Sequence, residues 1–165
     1  MKLVFSVAIA AIIFAANPCI AAQMPSVGMA PPALGLQNLQ NKTINLSDFH
    51  GKPVILAFVA SWSDSCKKEL AALDELYGKY KNKGLEVVVV SFDKKLSALK
   101  EFIANNKYEF DILVDKKLKS LDKYAILIIP TTFAIGKDGT ISKIFVDYDD
   151  NVSKSIRGFV ESQIK

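Results

Sequence analysis

The chain has 165 residues, 50% of them hydrophobic, enough for one globular domain with a proper core. No internal segment is long and apolar enough for an ordinary transmembrane helix, and no repeat or low-complexity tract is visible. Lysine and arginine number 21 against 17 acids, a net charge of +4, but the lysines are scattered and mostly paired with acids, which argues against a nucleic-acid-binding surface.

At the N-terminus, Lys2 is followed by fourteen uncharged, mostly apolar residues, Leu3 to Ala16. Asn17-Pro18 breaks the run, and Ile20-Ala21-Ala22 offers small residues for cleavage. This is the layout of a secretory signal peptide over residues 1–22, with an uncleaved membrane anchor as the alternative. Cys19 does not read as a lipoprotein site, because Pro18 stands directly before it. Removal of residues 1–22 lowers Lys+Arg from 21 to 20 against 17 acids, a net of +3. It also leaves Cys66 as the one thiol, so no intramolecular disulfide can form.

Residues 23–32, rich in Pro, Ala and Gly, read as a flexible leader, and residues 33–165 as the domain. Leu34, Leu36 and Leu39, then Ile44 and Leu46, alternate around Asn41-Lys42 and predict a small β-hairpin. Ser47-Asp48-Phe49 is a short helical turn. His50, the only histidine, reads as a polar loop residue with no metal constellation around it.

Pro53 to Ala60 is a continuous apolar run of strand length, expected for a strand buried on both faces of a sheet. A helix follows to about Lys83, with Ser63 as N-cap and Asp64 at its positive end. Cys66, Leu70, Leu73, Leu76, Tyr77 and Tyr80 recur at helical spacing and face inward, and Gly84 ends the helix. Leu85 to Phe92 is a second buried strand, completing a right-handed βαβ unit. Asp93 is read as the cap of a helix over Lys94–Asn106, with Leu96, Leu99, Phe102 and Ile103 inward.

A short strand over Phe110–Val114 and a short helix over Lys116–Tyr124 come next. Asp138-Gly139 marks a hairpin turn between strands Thr132–Gly136 and Thr140–Val146. The last helix, Asn151 to Ile164, places Val152, Ile156, Phe159 and Val160 on one face. The order predicts an α/β fold: a central mixed β-sheet flanked by helices, with an N-terminal β-hairpin.

The segment F-V-A-S-W-S-D-S-C-K-K-E-L resembles the F-W-A-S-W-C-x-P-C-x-x-E segment of extracytoplasmic thioredoxin-like proteins of the TlpA/ResA type. Further matches are A-P-P-A-L-G-L, L-S-D-F-H-G-K-P-V, V-S-F-D and I-P-T-T-F-A-I-G-K-D-G-T-I, in the right order over roughly residues 30 to 147. The resemblance extends to the broader redoxin and AhpC/TSA superfamily. It implies a thioredoxin-like fold, no cofactor, an extracytoplasmic location, and a thiol- or disulfide-containing protein or small thiol as partner. Membrane contact would come only through an uncleaved N-terminal segment.

The family's attacking cysteine falls on Ser63 and its resolving cysteine on Cys66. A serine hydroxyl does not attack disulfides, so the resemblance implies a degenerate Ser-x-x-Cys site with single-thiol chemistry at most. Cys66 is then either an activated thiol or a buried, inert one. The helix terminus lowers its pKa and burial raises it. The resemblance also implies that Glu69 lies near the thiol and can pass protons; helical spacing puts it close to the inward face, which would raise its pKa, the alternative being a surface glutamate. It implies that Trp62 shields the site, the alternative being core packing. Pro130 falls on the family's cis-proline, with Ile129 and Thr131 beside it in the substrate groove.

Two other functions stay open. One is a non-enzymatic binding module that keeps the groove. The other is a single-cysteine peroxidase, since Ser63-Asp64-Ser65-Cys66 fits the last four positions of the peroxiredoxin motif Pro-x-x-x-(Thr/Ser)-x-x-Cys. Val59 stands where that motif has proline, and the peroxiredoxin arginine would fall on Pro130. Arg157, the only arginine, lies in the last helix.

Overall fold

A computed structural model describes residues 24–164, so the predicted signal segment and Cys19 lie outside the described residues. The fold is built on a five-stranded sheet in the order β5-β4-β3-β6-β7. At its centre is β3 (Val54–Val59), whose six residues are all buried. Successive side chains of a strand point to opposite faces. Ile55, Ala57 and Val59 enter one apolar cluster, and Val54, Leu56 and Phe58 enter the other. That is why the run is apolar throughout.

On the first face lie α1 (Asp64–Tyr80) and α4 (Asp150–Gln163), which contribute Cys66, Leu70, Leu73, Ile156, Phe159 and Val160. The second face is covered by a hairpin, β1 (Gly35–Gln37) with β2 (Thr43–Asn45), and by α3 (Lys119–Tyr124). Phe58, Tyr124 and Phe133 meet there with ring centroids 4.8 to 5.8 Å apart.

The strands β3, β4 (Glu86–Ser91) and β5 (Asp111–Val114) run parallel. β6 (Thr131–Ile135) is antiparallel to β3, and β7 (Ile141–Val146) is antiparallel to β6. The mixed sheet, its flanking helices and the N-terminal hairpin are those expected from the sequence. Most boundaries move by one or two residues.

Three readings change. The helix read as capped by Asp93 is α2 (Leu96–Asn106), with Lys95 at the N-cap position and no side-chain cap bond. The Asp93 carboxylate instead accepts from the Ser61 amide and hydroxyl and from the Ser91 hydroxyl, all at 2.7 to 2.9 Å. These partners come from adjoining strand ends, so a local capping rule does not anticipate them. Of the predicted inward residues Leu99 is buried and Phe102 and Ile103 pack on the first cluster, but Leu96 is only half-buried.

The helix expected from Lys116 starts at Lys119, because residues 115–118 form a turn closed by Leu118 N–H to Asp115 C=O. The third change concerns the leader. Residues 24–32 do not form a free tether: Gly28 and Met29 exchange backbone hydrogen bonds of 2.8 Å with Ile141, and the Tyr124 hydroxyl donates to Pro32 C=O at 2.6 Å.

The last helix is capped by Asp149, whose carboxylate accepts from the Val152 amide at 2.8 Å. Asp149→Ala is expected to cost about 1 kcal/mol. The check is a lower urea midpoint with an unchanged slope.

Candidate functional site

Three elements meet at the C-terminal end of β3. They are the first turn of α1, the loop before β6, and the residue after β7. Beyond β3 the chain makes a short connection, closed by Ser63 N–H to Ala60 C=O at 3.2 Å. It then enters α1 with Ser63 as N-cap. The Ser63 hydroxyl oxygen accepts from the Cys66 amide at 3.4 Å. Serine at this position satisfies an N–H that would otherwise have no partner.

The side chain of Cys66, at 0% exposure, lies in the apolar cluster with Leu70 and Leu73. Burial pushes its thiol pKa up, and negative charge on Glu69 and Asp93 adds to the rise. The Ser63 hydrogen bond opposes it but does not prevail. In this conformation Cys66 is a covered thiol, and its surroundings favour the protonated form.

Glu69 is buried, not a surface glutamate. One carboxylate oxygen accepts from the Thr132 hydroxyl at 2.6 Å, and the other has no partner. Burial pushes the Glu69 pKa up to about 7, with the charge of Asp147 contributing, against the Thr132 hydrogen bond. A half-satisfied carboxylate in an apolar core favours its neutral form. Negative charge on Glu69, when present, adds to the rise at Cys66.

The Ile129–Pro130 peptide bond is cis. Pro130 C=O accepts from the Asp147 amide at 2.8 Å, and the Thr131 hydroxyl donates to Ile128 C=O at 2.6 Å. Ile129 packs against both apolar clusters, including the one that holds Cys66. Trp62 is 69% exposed, so the core-packing alternative fails. Leu127, at 91% exposure, and Ile128 and Val146 are also exposed around the Pro130 loop. These exposed apolar side chains lie near the end of the sheet where β3 finishes and β6 begins.

Two residues that the sequence reading did not assign to the site lie against it, Asp147 and Thr132. Asp147 adopts a left-handed backbone, φ 63°. Its carboxylate accepts from the Ser65 hydroxyl at 3.0 Å while its amide binds Pro130. It thus ties the first turn of α1 to the cis-proline loop. Thr132 faces Glu69 because it lies two residues from Ala134 on the same face of β6. Asp-Tyr-Asp-Asp reads in sequence as an acidic loop, and no local signal singles out its first residue. Arg157 lies on α4, and His50 stands against Gly139 at a hairpin turn.

A family model described as the AhpC/TSA family matches residues 27–144. Over 115 residues the chain is 36% identical to the thiol-disulfide oxidoreductase ResA of Bacillus thuringiensis subsp. konkukian, covering 70% of this chain and 66% of that protein, just under two thirds of its length. Against the thiol-disulfide oxidoreductase ResA of Bacillus anthracis it is 31% identical over 135 residues, covering 82% of this chain and 77% of that one. The thioredoxin domain of a thiol-disulfide oxidoreductase from Bacteroides vulgatus superposes with a TM-score of 0.72 at 25% identity, covering 82% of this chain and 98% of that domain.

Proposed function

The chain belongs to the AhpC/TSA family, and from that membership we propose that it is an exported thioredoxin-fold protein of thiol–disulfide metabolism whose chemistry is confined to one thiol. The observation that carries this reading is Ser63. It caps α1 through the Cys66 amide, at the position where proteins of the TlpA/ResA type hold the attacking cysteine. The names of the relatives, thiol-disulfide oxidoreductases, support the substrate class. The basic start, apolar stretch and small-residue site of residues 1–22 support an extracytoplasmic location.

The exposed side chains of Trp62, Leu127 and Ile128 near Pro130 would receive a disulfide-containing partner. Reaction requires the first turn of α1 to part from the Pro130 loop, against the Ser65–Asp147 hydrogen bond. Cys66 gives up its proton, which Glu69 can take. The thiolate attacks one sulfur of the disulfide, that S–S bond breaks, and the other half leaves as a thiolate. A new disulfide joins Cys66 to the partner. With Ser63 in place no second thiol displaces it, so the adduct persists until an external thiol attacks.

The test is incubation with oxidised glutathione and with a peptide disulfide, followed by mass spectrometry. A stable adduct on Cys66, removed by added reductant, is expected. Alkylation by iodoacetamide should be slow at neutral pH and rise only at a higher pH than for a free cysteine. The opposite result is no adduct, with alkylation only after unfolding. It would overturn the redox reading in favour of a non-enzymatic binding module.

A further inference from the structure

A second cavity, separate from Cys66, is framed by the hairpin, α2 and the turn between β5 and α3. Its volume is about 480 Å³, within the range of pockets that take small molecules. Lys100 reaches it from α2, Lys116 and Lys117 from the turn, and Lys119 from the start of α3. An adjoining cavity shares Leu96, Asp115 and Lys116 and adds Lys94. All five lysines are exposed.

The two carboxylates that line these cavities are held by serines rather than by lysines. The Asp115 carboxylate is buried and accepts from the Ser120 amide at 2.7 Å and hydroxyl at 2.6 Å. Asp93 is held by Ser61 and Ser91. Among the described residues the ion pairs join Lys52 to Glu86, Lys67 to Asp64, Lys79 to Glu161 and Lys81 to Glu109. None involves a groove lysine. The first turn of α2 opens on the cavity at Leu96 and carries no acid.

The far wall is fixed as well. Asn38 of the hairpin bridges to Leu113 of β5, and its side-chain amide donates to Asp111 at 3.2 Å. The cavity is therefore framed by secondary structure rather than by a free loop. Three lysines within four residues, with a fourth from another element, gather charge at one cavity instead of stringing it along a surface. That arrangement suits a compact ligand better than a polymer.

We infer that this groove binds a small organic anion bearing several carboxylate or phosphate groups. The inference does not depend on the redox reading, since Ser63, Cys66 and Glu69 take no part in it.

Titration with citrate and with inorganic pyrophosphate, read by calorimetry and by backbone-amide NMR, tests it. Saturable binding is expected at an ionic strength of about 0.15 M, with shifts confined to residues 36–41, 96–100 and 114–119. The double variant Lys116→Glu/Lys119→Glu should weaken binding at least about tenfold. Lys143→Glu, an exposed lysine on β7, should leave it unchanged. If the double variant fails to fold, Lys100→Glu alone should still weaken binding.

Non-saturating binding would overturn the inference, as would shifts spread over all surface lysines or full affinity in the groove variants. Saturable binding of hexaglutamate without binding of either small anion would overturn it in favour of an acidic polypeptide surface.

Discussion

Ser63→Cys is expected to turn a protein with background activity into a disulfide reductase, raising the initial rate of insulin reduction by at least about 100-fold. The Ser63 side chain is the N-cap of α1 and lies 3.4 Å from the Cys66 amide. A cysteine placed there sits within one helical turn of Cys66, at a positive helix end that favours its thiolate. The new thiol attacks the substrate disulfide, and Cys66 then displaces it, so the mixed disulfide no longer accumulates.

Two controls make the result decisive. Adding Cys66→Ala to Ser63→Cys should abolish turnover and trap the adduct on residue 63. The oxidised single variant should lose two hydrogens in mass as a 63–66 disulfide forms. Loss of the serine cap should lower stability by about 1 kcal/mol, too little to unfold an ordinary domain. If the 63–66 disulfide forms and insulin is still not reduced, the surface around Trp62 and Pro130 does not accept disulfide substrates. The proposed function then fails.

Glu69 should dominate the pH dependence of stability. Its pKa is about 7 when folded, against about 4.3 for an unperturbed glutamate. Between these values the folded state binds a proton that the unfolded state has released. Stability is therefore full below about pH 4.3 and falls as pH rises through 7. The loss is on the order of 3 kcal/mol. Most carboxylates in ion pairs act in the opposite sense, so the trend is diagnostic.

Glu69→Gln keeps an acceptor for the Thr132 hydroxyl and cannot ionise. Urea unfolding should show the variant nearly flat across this window and more stable than the parent at pH 8. A parent chain whose stability is flat from pH 5 to 8 would show that Glu69 reaches water. Removing the Glu69 charge should also lower the Cys66 pKa, since that charge helps to raise it.

Much of this protein is readable along the chain because the relevant forces are local or periodic. A six-residue strand buried on both faces must be apolar at every position, so β3 is visible in Val54–Val59. Leu70, Leu73 and Leu76 declare the inward stripe of α1, and Cys66 joins it by spacing alone. Ser63 is a cap by residue type and place. Family resemblance, rather than periodicity, pointed to the cis bond at Pro130.

What the chain by itself determined is therefore the α/β order, the core stripes, Ser63 as the cap of α1 and Cys66 on its inward face. Tertiary structure decided how that thiol and its neighbours behave, because pKa and exposure depend on groups distant in sequence. Desolvation by burial outweighs the Ser63 hydrogen bond at Cys66. Thr132, 63 residues away from Glu69, supplies the one hydrogen bond that the buried carboxylate has. Asp147 joins α1 to the Pro130 loop across 82 residues from Ser65, and Asp93 leaves its expected cap for Ser61, 32 residues back. The lysines of the groove come from α2, the β5–α3 turn and the start of α3, and the hairpin packs beside them to frame the cavity. A short polar side chain binds whatever donor the fold brings within about 3 Å, and no pattern of neighbours in sequence specifies that donor.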